Sequence, residues 1–214
     1  MKLHVLRVSE HAADVRDGAV LSEEERARCA AFLRETDRDR YRVAHTALRR
    51  ELAALLGTDP AAVPLTREAC PLCGGPHGRP AVPGNPVYFS LSHAGDVVLI
   101  AFDDAPVGAD VEVYPTAAVV AETAGALHPR ERAEIGRLPS ADRPAAFARC
   151  WTRKEAYLKG TGTGLGEDPS VTYVGSLAVP AEVPGWTLTD VGAPEGYAAA
   201  VAVAVPRPSA PGAP

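Results

Sequence analysis

The sequence predicts an α+β fold of two similar lobes. Two observations carry that reading: helical patterns followed by three strand-like runs occur twice in succession, and the turn between the halves falls near residues 103–107. Residues 2–8 alternate well enough for an edge strand. Ser22 and Glu25 have the spacing of a capping box and open a helix through about Arg34. A second helix begins near Asp37. Tyr41, Ala44, Leu48, Leu52 and Leu55 recur along it at helical spacing, and Gly57 is placed to end it. From 57 to 86 Pro and Gly are frequent, which predicts a long ordered connection. Strands are then expected at 87–93, 97–102 and 107–113, joined by short turns.

The second half repeats that order. Residues 117–138 read as helix with an interruption near His128-Pro129, and 144–159 as a further helix with Pro144 in its first turn. Three β-like runs follow at 171–174, 186–191 and 197–205, and residues 206–214 read as a disordered tail. The repeat is one of element order, without residue identity between the halves.

Composition narrows the function classes. Hydrophobic residues at 46% and charged residues at 23% are ordinary globular values, so wholesale disorder is excluded. No apolar run reaches the roughly 20 residues that span a bilayer. The opening residues are too soon charged for a secretory signal, so a cytoplasmic location is expected. Four cysteines do not make a disulfide scaffold, and a net charge of −5 argues against a general nucleic-acid or membrane-surface binder. Of the 22 basic residues three are lysines, and Lys154 and Lys159 stand close together.

Five segments carry candidate chemistry. On a strand over 107–113, Gly108, Asp110 and Glu112 share one face. Two carboxylates so placed suit a hard divalent cation; the bland alternative is a solvated strand face. On a helix, Trp151, Glu155 and Lys159 form one stripe. Glu155 can complete a three-carboxylate metal site or act as a base and Lys159 can neutralise an anionic leaving group, or the two form an ordinary surface pair. Ser92 and His93 end a strand before a Gly-containing turn and can both donate to a phosphate. As neighbours they point to opposite faces, which argues against a serine-hydrolase arrangement. Arg79 sits between Gly78 and Pro80 in a constrained loop, well suited to a phosphate. Cys70, Cys73 and His77 resemble half a zinc knuckle, but no second C-x-x-C exists, so free thiols in a loop remain the alternative. Two further segments are less specific. The glycines at 160–166 follow a helix rather than a strand, so they are not a dinucleotide fingerprint. Arg38 to Arg50 carries five arginines and one acid, either a nucleic-acid patch or a pocket for a small anion.

Together the segments GRP at 78–80, FSLSHA at 89–94, GADVE at 108–112 and WTRKEAYLK at 151–159 resemble, in that order, the surfactin-type 4′-phosphopantetheinyl transferases. The glycines at 162–165 and the upstream helices extend the likeness over most of the chain. Ala94 stands where a serine is usual, and the metal residues are untouched by that change. The resemblance implies a fold of two lobes with pseudo-twofold symmetry, each with helices packed on a small antiparallel sheet. Residues 1–105 would form a nucleotide clamp, 106–205 would carry metal and catalytic groups, and coenzyme A would lie between them. It implies transfer of the 4′-phosphopantetheine arm of coenzyme A to a serine of an apo acyl or peptidyl carrier protein, releasing adenosine 3′,5′-bisphosphate. By the same resemblance Asp110, Glu112 and Glu155 hold Mg²⁺, Glu155 or a metal-linked water takes the serine proton, and Lys159 neutralises the leaving phosphate. Arg79, Pro80, Ser92, His93 and Lys159 hold the nucleotide, with Arg28 and Arg40 as further phosphate contacts. A monomer serving polyketide or nonribosomal peptide synthases, without nucleic acid or membrane, is expected. The alternative is a zinc-knuckle nucleic-acid-binding module built on Cys70, Cys73 and Arg38–Arg50.

Overall fold

Strand β1 (Lys2–Arg7) forms an edge, as its alternation predicts, and its partner is the wholly apolar run at 97–102. The computed structural model describes residues 1–16 and 18–205, so the expected tail at 206–214 lies outside the described residues. After β1 come a short helix α1 (Val8–His11), α2 (Glu23–Ala30), α3 (Glu35–Leu56), the two-residue strands β2 (Thr66–Arg67) and β3 (Pro80–Ala81), then β4 (Tyr88–Ala94) and β5 (Val97–Asp103). The second half contains β6 (Val107–Val113), α4 (Ala117–Thr123), α5 (Pro129–Arg137), α6 (Arg143–Thr161), β7 (Trp186–Asp190) and β8 (Tyr197–Ala204). Among the described residues, no helix is long and apolar enough to cross a membrane.

Local chemistry sets the helix ends. Ser22 and Glu25 make the reciprocal capping box that opens α2. That helix stops at Ala30 instead of running to Arg34, because Arg34 takes extended backbone as the N-cap of α3. Gly57 adopts φ +67° and closes α3, a left-handed conformation that glycine reaches without a Cβ penalty. Glu25, reaching from α2, binds Arg49 Nε at 2.6 Å and His45 Nδ1 at 3.0 Å, pinning α2 onto α3.

Two three-stranded antiparallel sheets result, ordered β1-β5-β4 and β6-β8-β7. In each, the last strand of the set lies in the middle and the first at one edge. Read along the sequence, β6 follows β5 as a third consecutive strand, but its ladder partner is β8, so it is an edge of the second sheet. The first sheet is covered on one face by α3, where Val43, Ala44, Leu48 and Leu52 meet Phe89, Val98, Ile100 and Phe102. Its other face packs Val97, Leu99 and Ala101 against Val107, Ala109, Val111 and Val201 of the second sheet. Burial on both faces explains why β5 is apolar throughout rather than alternating. On the far side of the second sheet, Ala156 of α6 meets Ala200 and Ala202. Small residues on both surfaces let helix and sheet come close.

The run 171–174 is not a strand. Its backbone is held instead by side chains: Glu131 Oε1 accepts from Val174 N at 2.7 Å, and Lys154 Nζ donates to Thr172 O at 2.7 Å. Glu131 and Lys154 themselves pair at 2.7 Å with almost no exposure. Lys154, which stands out in the sequence as a rare lysine near Lys159, is therefore a structural cation joining α6, α5 and this segment.

Removing one member of that pair strands the other charge in the interior. Lys154→Met is expected to cost about 3–5 kcal/mol in urea-induced unfolding, and Lys154→Met with Glu131→Leu less than the single change. A single-variant loss below about 1 kcal/mol would contradict the assignment.

Candidate active site

The site begins with a glycine. Gly108, Asp110 and Glu112 lie on the face of β6 that meets α6. A Cβ on Gly108 would lie 1.8 Å from Ala156 O and 2.4 Å from Gly160 N. No side chain fits there, so what approaches the β6 backbone at Gly108 is the helix itself. A second close approach helps: a Cβ on Gly160 would come 2.6 Å from the Trp186 ring. This contact fixes the helical stripe of Trp151, Glu155 and Lys159 against the strand.

Asp110 is consequently buried, only 2% exposed, and not part of a solvated strand face. Its Oδ1 accepts from Ser92 Oγ at 2.7 Å and from Lys159 Nζ at 2.5 Å, while Lys159 also donates to Ser92 Oγ at 3.2 Å. Ser92 belongs to β4, so this knot ties the first sheet to the second. Ser90, two residues earlier, accepts from Ala109 N at 2.9 Å and repeats the link. The other carboxylate oxygen, Asp110 Oδ2, is buried without a hydrogen-bond partner among the described residues. Such an atom is costly to leave unpaired.

The electrostatics of the three acids agree. Burial pushes the Asp110 carboxyl above the usual carboxylate range, with Lys159 and Ser92 pulling it back. Glu112 is raised from 4.5 to about 7, first by burial and then by the Asp110 charge, with a smaller contribution from Glu155. Glu155 is raised by burial and by Asp110, against the pull of Lys159. The three carboxylates thus sense one another. Their oxygens are not drawn together as tightly as the Cys70, Cys73 and His77 donors, which among the described residues are the set gathered within 4.8 Å. Lys159 is the cation whose charge reaches all three acids. Hard oxygen donors around an unpaired buried oxygen fit a Mg²⁺ ion.

The other expected residues distribute unevenly. Arg79 lies in a turn where a Cβ on Gly78 would strike Glu68 O at 2.6 Å, so the glycine is obligatory. Its Nε binds Glu68 Oε2 at 2.7 Å, its Nη1 donates to Gly160 O at 2.7 Å, and its guanidinium lies over the Tyr88 ring. Arg79 therefore reaches the residue next to Lys159. Arg40 donates to Gly95 O at 2.7 Å and pairs with Asp37. His93 is exposed, opposite in direction to Ser92. Surrounding protein still desolvates its ring and, with the charges of Arg40, His45 and Lys159, holds its pKa below the ordinary value. Arg28 and Pro80 line a groove of about 1000 Å³, together with Tyr41, His45, Arg67 and Phe89. Arg40, Arg79, Ser92 and His93 are not among its lining residues.

Sequence reasoning missed His45 and Arg67 in that groove. His45 stacks on Tyr41 one turn away, a spacing visible in the sequence, whereas Arg67 is placed by Arg67 Nη1 donating to Gly78 O across the loop. A second cavity, about 590 Å³, is lined by Glu112, Phe147 and Trp151. Its position gives Trp151 a wall beside the acids as well as a place in the core. The basic run is largely spent internally: Arg40 on Asp37, Arg42 on Asp39 and Arg49 on Glu25. No open polyanion track is left by those three.

Residues 106–201 match the family model of the 4′-phosphopantetheinyl transferase superfamily. The chain is 32% identical over 193 residues to the 4′-phosphopantetheinyl transferase HetI of Nostoc, an alignment covering 87% of this chain and 79% of HetI. The chain belongs to the 4′-phosphopantetheinyl transferase superfamily. Shorter likenesses agree. A 4′-phosphopantetheinyl transferase of Bacillus subtilis is 27% identical over 69% of this chain and 62% of its own length. AcpT of Escherichia coli is 38% identical over 49% of this chain and 56% of its own. Membership replaces the nucleic-acid module as the reading of the whole chain. The matched segment takes in β6 and α6, the elements that carry the acids, and most of β8.

Raised acids weaken the metal-free fold in a pH window that Glu112 defines. The folded state binds the Glu112 proton more tightly than the unfolded chain, so stability falls as pH rises from 4.5 to about 7 and then levels. Glu112→Gln is therefore expected to raise the melting temperature in chelator at pH 8 and to leave it unchanged at pH 4. An equal shift at both values would contradict the burial of this charge.

Proposed function

We propose that the protein transfers the 4′-phosphopantetheine arm of coenzyme A to a serine of an apo carrier protein, in the manner of the surfactin-type enzymes. The observation that carries this reading is Asp110, buried between Ser92 and Lys159 with one carboxylate oxygen unpaired and two more acids in its field. Asp110, Glu112 and Glu155 would hold Mg²⁺. When bound, that ion supplies positive charge to the diphosphate of coenzyme A and to the charge developing in the transition state.

The chain's own residues do the rest. The carrier serine oxygen attacks the β-phosphorus, the bond from that phosphorus to the bridging oxygen breaks, and adenosine 3′,5′-bisphosphate departs. Glu155 takes the serine proton; its raised pKa makes it a better base than an ordinary surface carboxylate. Lys159 neutralises the departing phosphate, and Ser92 orients both Lys159 and Asp110. Arg79, Pro80, Ser92 and His93, with Arg28 and Arg40, would bind the nucleotide. Support for Arg79 is its anchorage to Gly160 beside Lys159, and for Arg28 and Pro80 their shared groove.

Residues 1–105 then act as the nucleotide clamp and 106–205 as the metal and catalytic lobe. The identical strand order of the two sheets supports a pseudo-twofold relation between them. A cytoplasmic monomer serving carrier proteins of polyketide or nonribosomal peptide synthases completes the proposal, on the strength of the motif resemblance alone.

Purified protein with coenzyme A, Mg²⁺ and an apo carrier protein should add one phosphopantetheine to the carrier serine, read by mass. Asp110→Asn keeps the shape of the side chain and is expected to lower turnover by about 100-fold or more. Turnover within threefold of the parent protein would remove Asp110 from the reaction centre.

A further inference from the structure

The C-x-x-C-x-x-x-H segment takes no part in the transfer chemistry, yet it is the tightest set of metal-ligating groups among the described residues. Cys70 Sγ, Cys73 Sγ and a ring nitrogen of His77 all lie within 4.8 Å of one another, and Cys73 Sγ meets His77 Nε2 at 3.0 Å. Tetrahedral zinc, with Zn–S near 2.3 Å and Zn–N near 2.0 Å, places its ligand atoms about 3.5–3.8 Å apart. The donors are within reach of that arrangement without moving the backbone far.

The backbone is folded as a knuckle around them. Cys70 N donates to Gly75 O at 2.7 Å and Gly74 N to Cys70 O at 2.8 Å, with Gly74 at φ +74°. A Cβ on Gly75 would come 2.9 Å from the His77 ring, so only glycine lets the imidazole close over Cys73. Backbone N–H groups of Leu72 and Cys73 turn toward the Cys70 sulfur, so the chain wraps around this donor. Cys70 is buried, whereas Cys73 and His77 are exposed, leaving one side open to an incoming ion.

We propose that Cys70, Cys73 and His77 bind one zinc ion, with a water in the fourth position. Soft thiolate and imidazole donors prefer zinc to magnesium, so this site and the acid site take different metals. Its consequence is structural. The knuckle runs directly into Gly78 and Arg79, Glu68 N and O bracket that turn from the other strand, and Leu72 and Pro71 face Gly166 and Gly162 in the turn after α6. Zinc would lock the Arg79 loop onto the end of the helix that carries Glu155 and Lys159.

The full chain, stripped with chelator under reducing conditions, is titrated with Co²⁺ and followed by absorbance. One equivalent is expected to produce a thiolate-to-cobalt charge-transfer band, and one equivalent of Zn²⁺ to abolish it. Cys73→Ser should lose the band. His77→Asn, a milder change at an exposed position, should weaken binding while the melting temperature of the stripped protein stays unchanged. Asp110→Asn should leave the band intact, since the acids are not its ligands. The proposal is overturned if no band forms at one equivalent, or if the band survives Cys73→Ser. A Cys70–Cys73 disulfide in protein purified under argon would overturn it equally.

Discussion

Helix α6 can lie against β6 only because residue 108 has no side chain, and the rest of the site depends on that contact. With Ala156 O of the helix only 1.8 Å from where a Cβ of residue 108 would sit, Asp110 is shut away from water and Lys159 is brought to it. A buried carboxylate is expensive unless paired. Lys159 and Ser92 compensate one oxygen, and among the described residues the other has no hydrogen-bond partner. The same packing raises Glu112 and Glu155. The site is thus a concentration of negative charge that the fold tolerates through alanines and glycines and that an added cation would relieve.

The contact also explains why chemistry sits at a junction. Val107, Ala109 and Val111 on one face of β6 weld the two sheets, while Asp110 on the other meets α6 and takes its bond from Ser92 of the opposite lobe. Arg79 crosses the same junction to Gly160. Asp110, Ser92 and Lys159 are therefore held at one place by the core, and Arg79 by a constrained turn, which suits a reaction that joins two substrates. Lys154, five residues before Lys159 and so on another face of the same helix, faces the interior and ties α6 to Glu131. Neighbouring lysines thus divide between support and site.

Much of this was legible in sequence, for identifiable reasons. Period-two alternation in 107–113 put Gly108, Asp110 and Glu112 on one face, and four-residue spacing put Glu155 and Lys159 on one stripe. Capping residues gave the starts of α2 and the end of α3. What failed needed long-range information. The lobe boundary at 105/106 already set β6 with the second half, but its ladder with β8, some ninety residues away, has no local signal. Residues 171–174 have β-like side chains, but Glu131 and Lys154 claim their backbone groups. The basic run looked open because Glu25, which neutralises Arg49, lies in a different helix. Asp37 and Asp39, at i−3 from Arg40 and Arg42, were the local signal that part of that charge is spent.

The central claim is that the buried, half-paired Asp110 is the anchor of a cation site. Crystals soaked with Mn²⁺ and coenzyme A, with anomalous scattering recorded at the manganese edge, test it directly. The account predicts one peak bound by Asp110 with Glu112 and Glu155, with the diphosphate of the nucleotide beside it. A peak elsewhere, or a nucleotide bound away from β6 and α6 with Asp110 Oδ2 still unpaired, would contradict it.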